Sequence, residues 1–152
     1  ECTITLQDVI VLLGLTIDGE PVCGRDKHRT AIEWQALCLE LLGFTPPVTA
    51  LHGGRLNITT LTDHLAAPML NDADIATVQC YARCYIMLMI GGSLFPDKSQ
   101  NLVKLLFLTH LTNLEAAERL SLGSAALATL YLEMCRATNP TRTDIGGPLI
   151  LL

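Results

Sequence analysis

The residues best suited to chemistry are two cysteines in a helical pattern and a separate Cys–His pair. Cys80 and Cys84 lie four residues apart, so both thiols would face the same side of one helix. A structural zinc site needs four ligands, usually supplied as two close pairs, and Cys23 with His28 could supply the second pair. The alternative is that Cys80 and Cys84 are small buried side chains facing a neighbouring helix. We favour the alternative, and we expect neither a metal nor a cofactor.

The sequence lacks the residue arrangements that covalent catalysis usually needs. The lysines that could form a Schiff base are Lys27, Lys98 and Lys104, and all fall in expected loops or at a helix start. Ser93 and Ser124 follow glycines, but they lack the second glycine and the preceding strand of a hydrolase elbow. The sequence also has no glycine-rich phosphate loop. We therefore expect no enzyme activity and no small-molecule substrate.

A short basic cluster offers contact with nucleic acid. It consists of Arg25, Lys27, His28 and Arg29 and is interrupted by Asp26. Such side chains contact phosphates, which position a protein on DNA without reading its sequence. The chain has 10 basic and 15 acidic residues and a net charge of −5, so no overall positive field attracts DNA. The alternative is a solvated loop, and contact with DNA through Arg25, Lys27 and Arg29 stands as a second hypothesis.

The chain is apolar for its size. Half of its 152 residues are hydrophobic and 16% are charged, which excludes disorder and predicts one domain with apolar surface left for a partner. The longest apolar stretch, residues 85–95, is interrupted by two glycines. It falls short of the roughly 20 apolar residues of a membrane span, so we expect no membrane association. The cysteines lie mostly in apolar helical patterns, which favours a reduced, intracellular protein.

The apolar patterns predict a mainly α, single-domain helical bundle with a small β-hairpin near the N-terminus. The hairpin is expected over residues 15–22, where the turn pair Asp18-Gly19 separates two short runs. The first helix should begin after Thr5 as its cap. Further helices are expected in residues 30–43, 60–65, 72–90 and 121–136, and two more within residues 102–119.

The clearest of these helices runs from residue 72 or 74 to about residue 90. Its apolar residues recur three and four positions apart, and other faces of the helix are apolar as well. A helix apolar on so much of its circumference is usually central to a bundle. We therefore predict that its main stripe faces inward. The stripe consists of Ile75, Val78, Ala82, Ile86 and Met89, widened by Tyr81, Tyr85 and Leu88.

In order along the chain, several segments resemble the plant mobile domain family. The resemblance covers nearly all of residues 1–152, which we expect to be one such domain. Leu122 departs from the family, which usually has tryptophan there, and the family's tryptophan-rich continuation is absent beyond Leu152. We expect that the C-terminal end of the domain is missing. The matching segments include Thr3-Ile4-Thr5-Leu6-Gln7-Asp8-Val9, Trp34 with Cys38-Leu39, Tyr81-Ala82-Arg83, Gly91-Gly92, Leu94-Phe95-Pro96-Asp97-Lys98-Ser99, Gly123-Ser124-Ala125-Ala126-Leu127 and Ile145-Gly146-Gly147.

The resemblance implies a nuclear plant protein related to the MAINTENANCE OF MERISTEMS group, or a relative carried inside a transposon. Members act in meristem maintenance, control of gene expression and silencing of transposable elements, and some work with, or are fused to, a phosphatase-like protein. We therefore expect a non-catalytic protein-interaction module whose partner is another plant mobile domain protein or a phosphatase-like protein. DNA binding is the alternative. The family is also called aminotransferase-like, but the residues above support no such activity.

Arg83 and Asp97 both lie in the block where the resemblance is strongest. An arginine in an apolar helix is normally paired, with its aliphatic stem packed along the core. We therefore expect Arg83 and Asp97 to form an internal latch between the helix and the loop that follows it.

Overall fold

The computed structural model describes residues 3–24, 28–68, 72–96, 101–141 and 145–152. Within these ranges the chain forms seven α-helices and two short strands, which confirms the mainly α prediction. The helices are α1 (Leu6–Leu13), α2 (Ala31–Leu42), α3 (Ile58–Leu65), α4 (Ile75–Met89), α5 (Leu106–His110), α6 (Leu114–Ala117) and α7 (Leu122–Ala137), and the strands are β1 (Arg55–Asn57) and β2 (Leu102–Lys104).

The hairpin predicted over residues 15–22 is wrong. Glu20 instead forms a parallel bridge with Leu120, far away in sequence. The N–H of Glu20 donates to the carbonyl of Arg119 at 2.7 Å, and its own carbonyl accepts from the N–H of Ser121 at 2.8 Å. The segment after α1 therefore pairs with the chain that leads into α7, not with itself.

The strand pair lies further along the chain than expected. β1 and β2 run antiparallel, with Arg55 opposite Lys104 and Leu56 opposite Val103. Leu56 and Val103 are buried, whereas Arg55 and Lys104 are exposed. The pair connects the segment before α3 to the segment after α4, so it positions two cationic side chains side by side on the surface.

Capping boxes begin the first two helices, as the sequence predicts for Thr5 and Thr30. The carboxylate of Asp8 accepts from the backbone N–H of Thr5 at 2.7 Å, and that of Glu33 accepts from the N–H of Thr30 at 2.6 Å. Each threonine hydroxyl accepts from the backbone N–H of its acid in return. Two backbone donors that a helix start leaves unsatisfied are thus paired at each site.

We expect Glu33→Gln to reduce the loss of stability in acid. Backbone and side-chain hydrogen bonds from Thr30 lower the pKa of the Glu33 carboxyl from its ordinary value of 4.5. Because the folded-state pKa is lowered, the stabilisation is complete above pH 4.5 and is lost as the pH falls through the folded-state value. The free energy of unfolding, measured with urea, should decrease less between neutral pH and about pH 3 in the variant than in the parent. The matched control is Glu40→Gln in the same helix, and an equal decrease in Glu33→Gln and the parent would contradict the prediction.

The main core lies between α2, α3, α4 and the strand pair. α4 packs against α2, α3 and α5, and its inward residues contact the buried faces of those elements. Burial of apolar side chains is the main stabilising term in such a core. The largest fully buried residues here are Leu42, Leu56, Leu61, Met87, Leu105 and Leu108.

The inward stripe predicted for α4 is wrong for most of its residues, although Ile86 and Leu88 do pack against the core. Ile75 is 78% exposed and Met89 is 61% exposed, whereas Arg83, Cys84 and Met87 are buried. The buried set is offset from the predicted stripe by about half a helical turn. Periodicity defines an apolar stripe without giving its direction, and both faces of this helix are apolar. The residues with smaller or more polar side chains form the side that packs.

A second, smaller cluster joins the beginning and the end of the described chain. Val9 of α1 packs with Leu127 and Leu130 of α7 and with Leu151 in a short C-terminal turn of 3-10 helix (Leu149–Leu151). The hydroxyl of Tyr131, also on α7, donates to the carbonyl of Ile4 and so fixes the chain just before α1.

Candidate interaction surface

The outer face of α4 carries an apolar stripe along the whole helix. Its residues are separated by three, four, three and four positions, the spacing that places side chains along one seam of a helix. Four of the five are exposed and the central alanine is half-buried. We call this surface the α4 outer stripe; it consists of Ile75, Val78, Ala82, Tyr85 and Met89.

No charged side chain interrupts this surface. The only charged residue of α4 is Arg83, which is 7% exposed and lies on the inner side. A helix that faces water normally carries charged residues on its outer side. An uncharged outer face is instead typical of a surface that another protein covers.

Arg83 is paired, as the sequence predicts, but its described partners are backbone carbonyls. Its Nε donates to the carbonyl of Leu111 at 2.8 Å, and one terminal nitrogen donates to the carbonyl of Thr112 at 3.3 Å. These contacts join the middle of α4 to the chain just after α5. Asp97, the expected partner in the latch, lies outside the described residues, so that contact stays a prediction.

Aromatic stacking fixes the other side of α4 against α3. The rings of Phe44 and His64 stack with their centres 4.3 Å apart, and the ring of His64 lies 5.5 Å from that of Tyr81. At its start, α4 is capped by Asp74, whose carboxylate accepts from the N–H of Thr77 at 2.9 Å. The α4 outer stripe is therefore presented by a helix anchored at its start, on its inner side and on its flank.

The two cysteines of α4 differ in burial, since Cys84 lies in the core and Cys80 is half-buried. Cys84 is buried and its thiol donates to the carbonyl of Leu42 at 3.6 Å. Burial, followed by the charges of Cys80 and Cys38, raises the pKa of the Cys84 thiol to about 12. A cysteine binds zinc as its thiolate, and the described residues bring no group of three potential ligands together. The arrangement matches the alternative of small buried side chains.

The basic cluster is described only in part. Arg25 and Lys27 lie outside the described residues. The guanidinium carbon of Arg29 lies 4.8 Å from the ring centre of Trp34, a cation–π contact, so this side chain packs on a buried tryptophan. Contact with DNA through these three residues stays a prediction, which neutralising all three and measuring the salt dependence of duplex binding would test.

One helical segment has the length and the apolar composition of a membrane span. It is Ile75–Leu94, in which α4 continues into a π-helical turn (Ile90–Leu94) that contains Gly91 and Gly92. The central helix of a water-soluble core passes the same test of length and composition. Here the inner side of the segment packs against α2 and α3 and contains a buried arginine. The expectation of no membrane association stays a prediction.

Sequence reasoning found the stripe residues and missed their direction. The signal that could have indicated the outward direction is the charge pattern. Arg83 is the single charge in α4, and a buried arginine needs acceptors that only the protein interior can arrange. The side that carries Arg83 is therefore the side that packs, and the uncharged opposite side is the one left for solvent or a partner.

The fold and this surface define a small helical domain that presents an uncharged helix face. The chain belongs to the plant mobile domain family, whose model matches residues 1–152. It is 41% identical over its whole length to an Arabidopsis thaliana protein described as serine/threonine-protein phosphatase 7 long form homolog, of which it covers 11%. No solved structure matches the chain.

Two further relatives from Arabidopsis thaliana match the whole chain. They are protein MAIN-LIKE 2, at 32% identity and with 22% of its length covered, and protein MAINTENANCE OF MERISTEMS, at 31% identity and with 31% of its length covered. The chain therefore spans less than a third of each of these relatives. The resemblance to the plant mobile domain family is confirmed.

Proposed function

We propose that this domain is a non-catalytic protein-interaction module that docks a helix of a partner protein on the α4 outer stripe. The observation that carries the proposal is the alternating three- and four-residue spacing of exposed apolar residues on an uncharged helix face. That spacing suits the packing of a second helix alongside, with the side chains of one helix between those of the other. Covering such a stripe removes apolar area from water, the main driving force of association.

The partner that we propose is a second plant mobile domain protein or a phosphatase-like protein. The relative described as a phosphatase 7 long form homolog includes a region matching this whole chain within a much longer protein. That relationship supports a domain that works beside a phosphatase-like chain, either in the same polypeptide or as a separate protein. Where the second plant mobile domain is another copy of this one, it offers the same stripe, as required for a two-fold symmetric interface.

The relatives support a proposal for the biological setting. We propose that the whole protein is a nuclear regulator acting in meristem maintenance, control of gene expression and silencing of transposable elements, or a transposon-derived relative of such a regulator. The name of the relative MAINTENANCE OF MERISTEMS supports the first of these roles. Imaging of a fluorescent fusion of the full-length protein in plant cells tests the nuclear location, which an exclusively cytoplasmic signal would contradict.

We expect Met89→Asp to weaken the complex at least about tenfold, because a charge in the seam must be desolvated on docking. The measurement is the native mass of the domain mixed with plant mobile domain and phosphatase-like candidates, followed by titration of the pair that forms. Met89 is well exposed in the free domain, so the substitution should leave the unfolding midpoint unchanged.

The matched control is Ile32→Asp, which places the same charge on α2 at a residue that is 76% exposed, against 61% for Met89. Equal effects of Ile32→Asp and Met89→Asp would remove the α4 outer stripe as the docking surface. A domain that stays monomeric with both classes of candidate would contradict the proposed partners.

A further inference from the structure

A groove lies on the surface formed by the strand pair, α7 and the segment after α4. Its volume is about 340 Å³, within the range of sites that hold small ligands or peptide side chains. The cationic side chains on its walls are Arg55, Lys104 and Arg136, and Glu133 is the acid among its described lining residues. None of these residues belongs to the α4 outer stripe or to the basic cluster at residues 25–29.

The cations converge because distant parts of the chain meet here. Arg55 and Lys104 are directly opposite each other in the antiparallel pair, so their side chains project from adjacent strands at one register position. Glu133 forms an ion pair with Arg136 at 2.5 Å and accepts from the N–H of Gly146 at 3.4 Å. Within the described part of the chain, the ammonium of Lys104 has neither a hydrogen bond nor an ion pair.

Apolar side chains line the groove together with these charges. The rings of Phe95 and Phe107 stack with their centres 4.8 Å apart, and Val22 and Ala125 extend the apolar lining. An apolar lining with a few charged groups is the usual design of a recognition site, since burial supplies affinity and the charges fix orientation. A ligand that fits would therefore combine an oxyanion with an apolar group.

We propose that this groove binds an acidic linear segment of a partner protein. Carboxylate or phosphate oxygens of the segment accept hydrogen bonds from Arg55 and Lys104, and a neighbouring apolar side chain packs on Phe95 and Phe107. Arginine suits both kinds of oxyanion because its planar fork donates two parallel hydrogen bonds. The inference rests on the proposed interaction function and adds a second contact of different chemistry to it.

The charge of the molecule favours a peptide over nucleic acid. The chain carries a net charge of −5, which repels a long polyanion approaching from any direction. A peptide with two or three acids experiences far less of this repulsion, while the described lining residues of the groove carry three cations and one acid. Single-stranded nucleic acid, whose bases could stack on aromatic rings, is the competing ligand in the test.

The test uses fluorescence anisotropy with a labelled peptide of alternating leucine and glutamate. Its analogues carry glutamine or phosphoserine in place of glutamate, and a labelled single-stranded oligonucleotide is measured in parallel. We expect the glutamate peptide to bind about tenfold more tightly than the glutamine peptide. Tighter binding of the phosphoserine peptide would identify phosphate as the preferred oxyanion, and tighter binding of the glutamate peptide would identify carboxylate.

Lys104→Gln is expected to weaken binding of both anionic peptides about tenfold. Arg119→Gln, which removes one exposed positive charge outside the groove, should leave the affinities unchanged. Equal affinities of the glutamate and glutamine peptides would overturn the inference. Tighter, Lys104-dependent binding of the oligonucleotide than of either anionic peptide would also overturn it.

The α4 variant separates this inference from the proposed function. Met89→Asp should leave peptide affinity in the groove unchanged while it weakens docking of the partner helix. If the anionic peptides fail to bind but the α4-dependent complex forms, the groove inference fails and the proposed function stands. If the peptides bind and no α4-dependent complex forms, the docking surface on α4 fails instead.

Discussion

Arg83→Ala is expected to lower the free energy of unfolding by about 3 kcal/mol. The guanidinium donates to the carbonyls of Leu111 and Thr112 at 2.8 and 3.3 Å. Since Arg83 and Leu111 are both buried, water cannot replace the lost donor at the Leu111 carbonyl without opening the structure. The missing aliphatic stem also leaves a cavity beside α4. Both effects destabilise the packing of α4.

Urea unfolding of three variants isolates the cause. Arg83→Lys keeps the charge but not the planar fork. Its free energy of unfolding should therefore lie between those of the parent and Arg83→Ala. Arg119→Ala removes an arginine from an exposed position and should change stability by less than about 0.5 kcal/mol. If Arg83→Ala were no more destabilising than Arg119→Ala, the buried hydrogen bonds would carry none of the proposed stabilisation.

Gly19→Ala is expected to destabilise the domain by about 3 kcal/mol, for two independent reasons. Gly19 has a φ of +133°, a backbone conformation that residues with a Cβ rarely adopt. A Cβ at this position would also lie 2.3 Å from the carbonyl oxygen of Arg119. That oxygen is backbone and accepts the hydrogen bond from Glu20, so relieving the clash breaks the contact between the N-terminal segment and the chain before α7.

Gly14→Ala places an alanine at a positive φ without a close contact to another part of the chain. Gly14 ends α1 with a φ of +64°, and a Cβ there would meet no atom within 4 Å. It should therefore cost only the backbone strain, about 1 kcal/mol. Thermal or urea unfolding of both variants gives the difference, which contains the steric contact at Gly19 and the greater backbone strain at its φ of +133°. Equal destabilisation by the two substitutions would show that the close approach to Arg119 contributes nothing.

Local features of the fold could be predicted because the residues that cause them are neighbours in sequence. Thr5 with Asp8, and Thr30 with Glu33, specify helix starts through hydrogen bonds that span three residues. The same holds for Gly14, which ends α1 in the left-handed conformation. No tertiary contact is needed to interpret these patterns, and the structure confirms them.

The hairpin that was predicted and does not form shows the limit of prediction from residues that are neighbours in sequence. Asp18-Gly19 has the composition of a tight turn, but Glu20 pairs with Leu120 and not with a neighbouring strand. The glycine is needed for close approach to a distant backbone, a requirement that composition cannot distinguish from turn geometry. Contacts between residues so far apart in sequence leave no trace in a local pattern.

The groove could not be predicted for the same reason. Arg55 and Lys104 are ordinary exposed cations until the pairing of β1 with β2 brings them together. Phe95 and Phe107 meet only because the chain turns back after α4. The family resemblance identified the domain, whereas the position of its two proposed contacts required the tertiary structure.

The small cluster of Val9 and Leu151 has a consequence for the cooperativity of unfolding. Val9 lies in α1 and Leu151 in the short C-terminal turn, and both pack with Leu127 and Leu130 of α7. Detachment of either segment exposes apolar surface that the other segment helps to cover. The first helix and the C-terminal turn are therefore expected to lose their protection from hydrogen exchange together, as one cooperative unit.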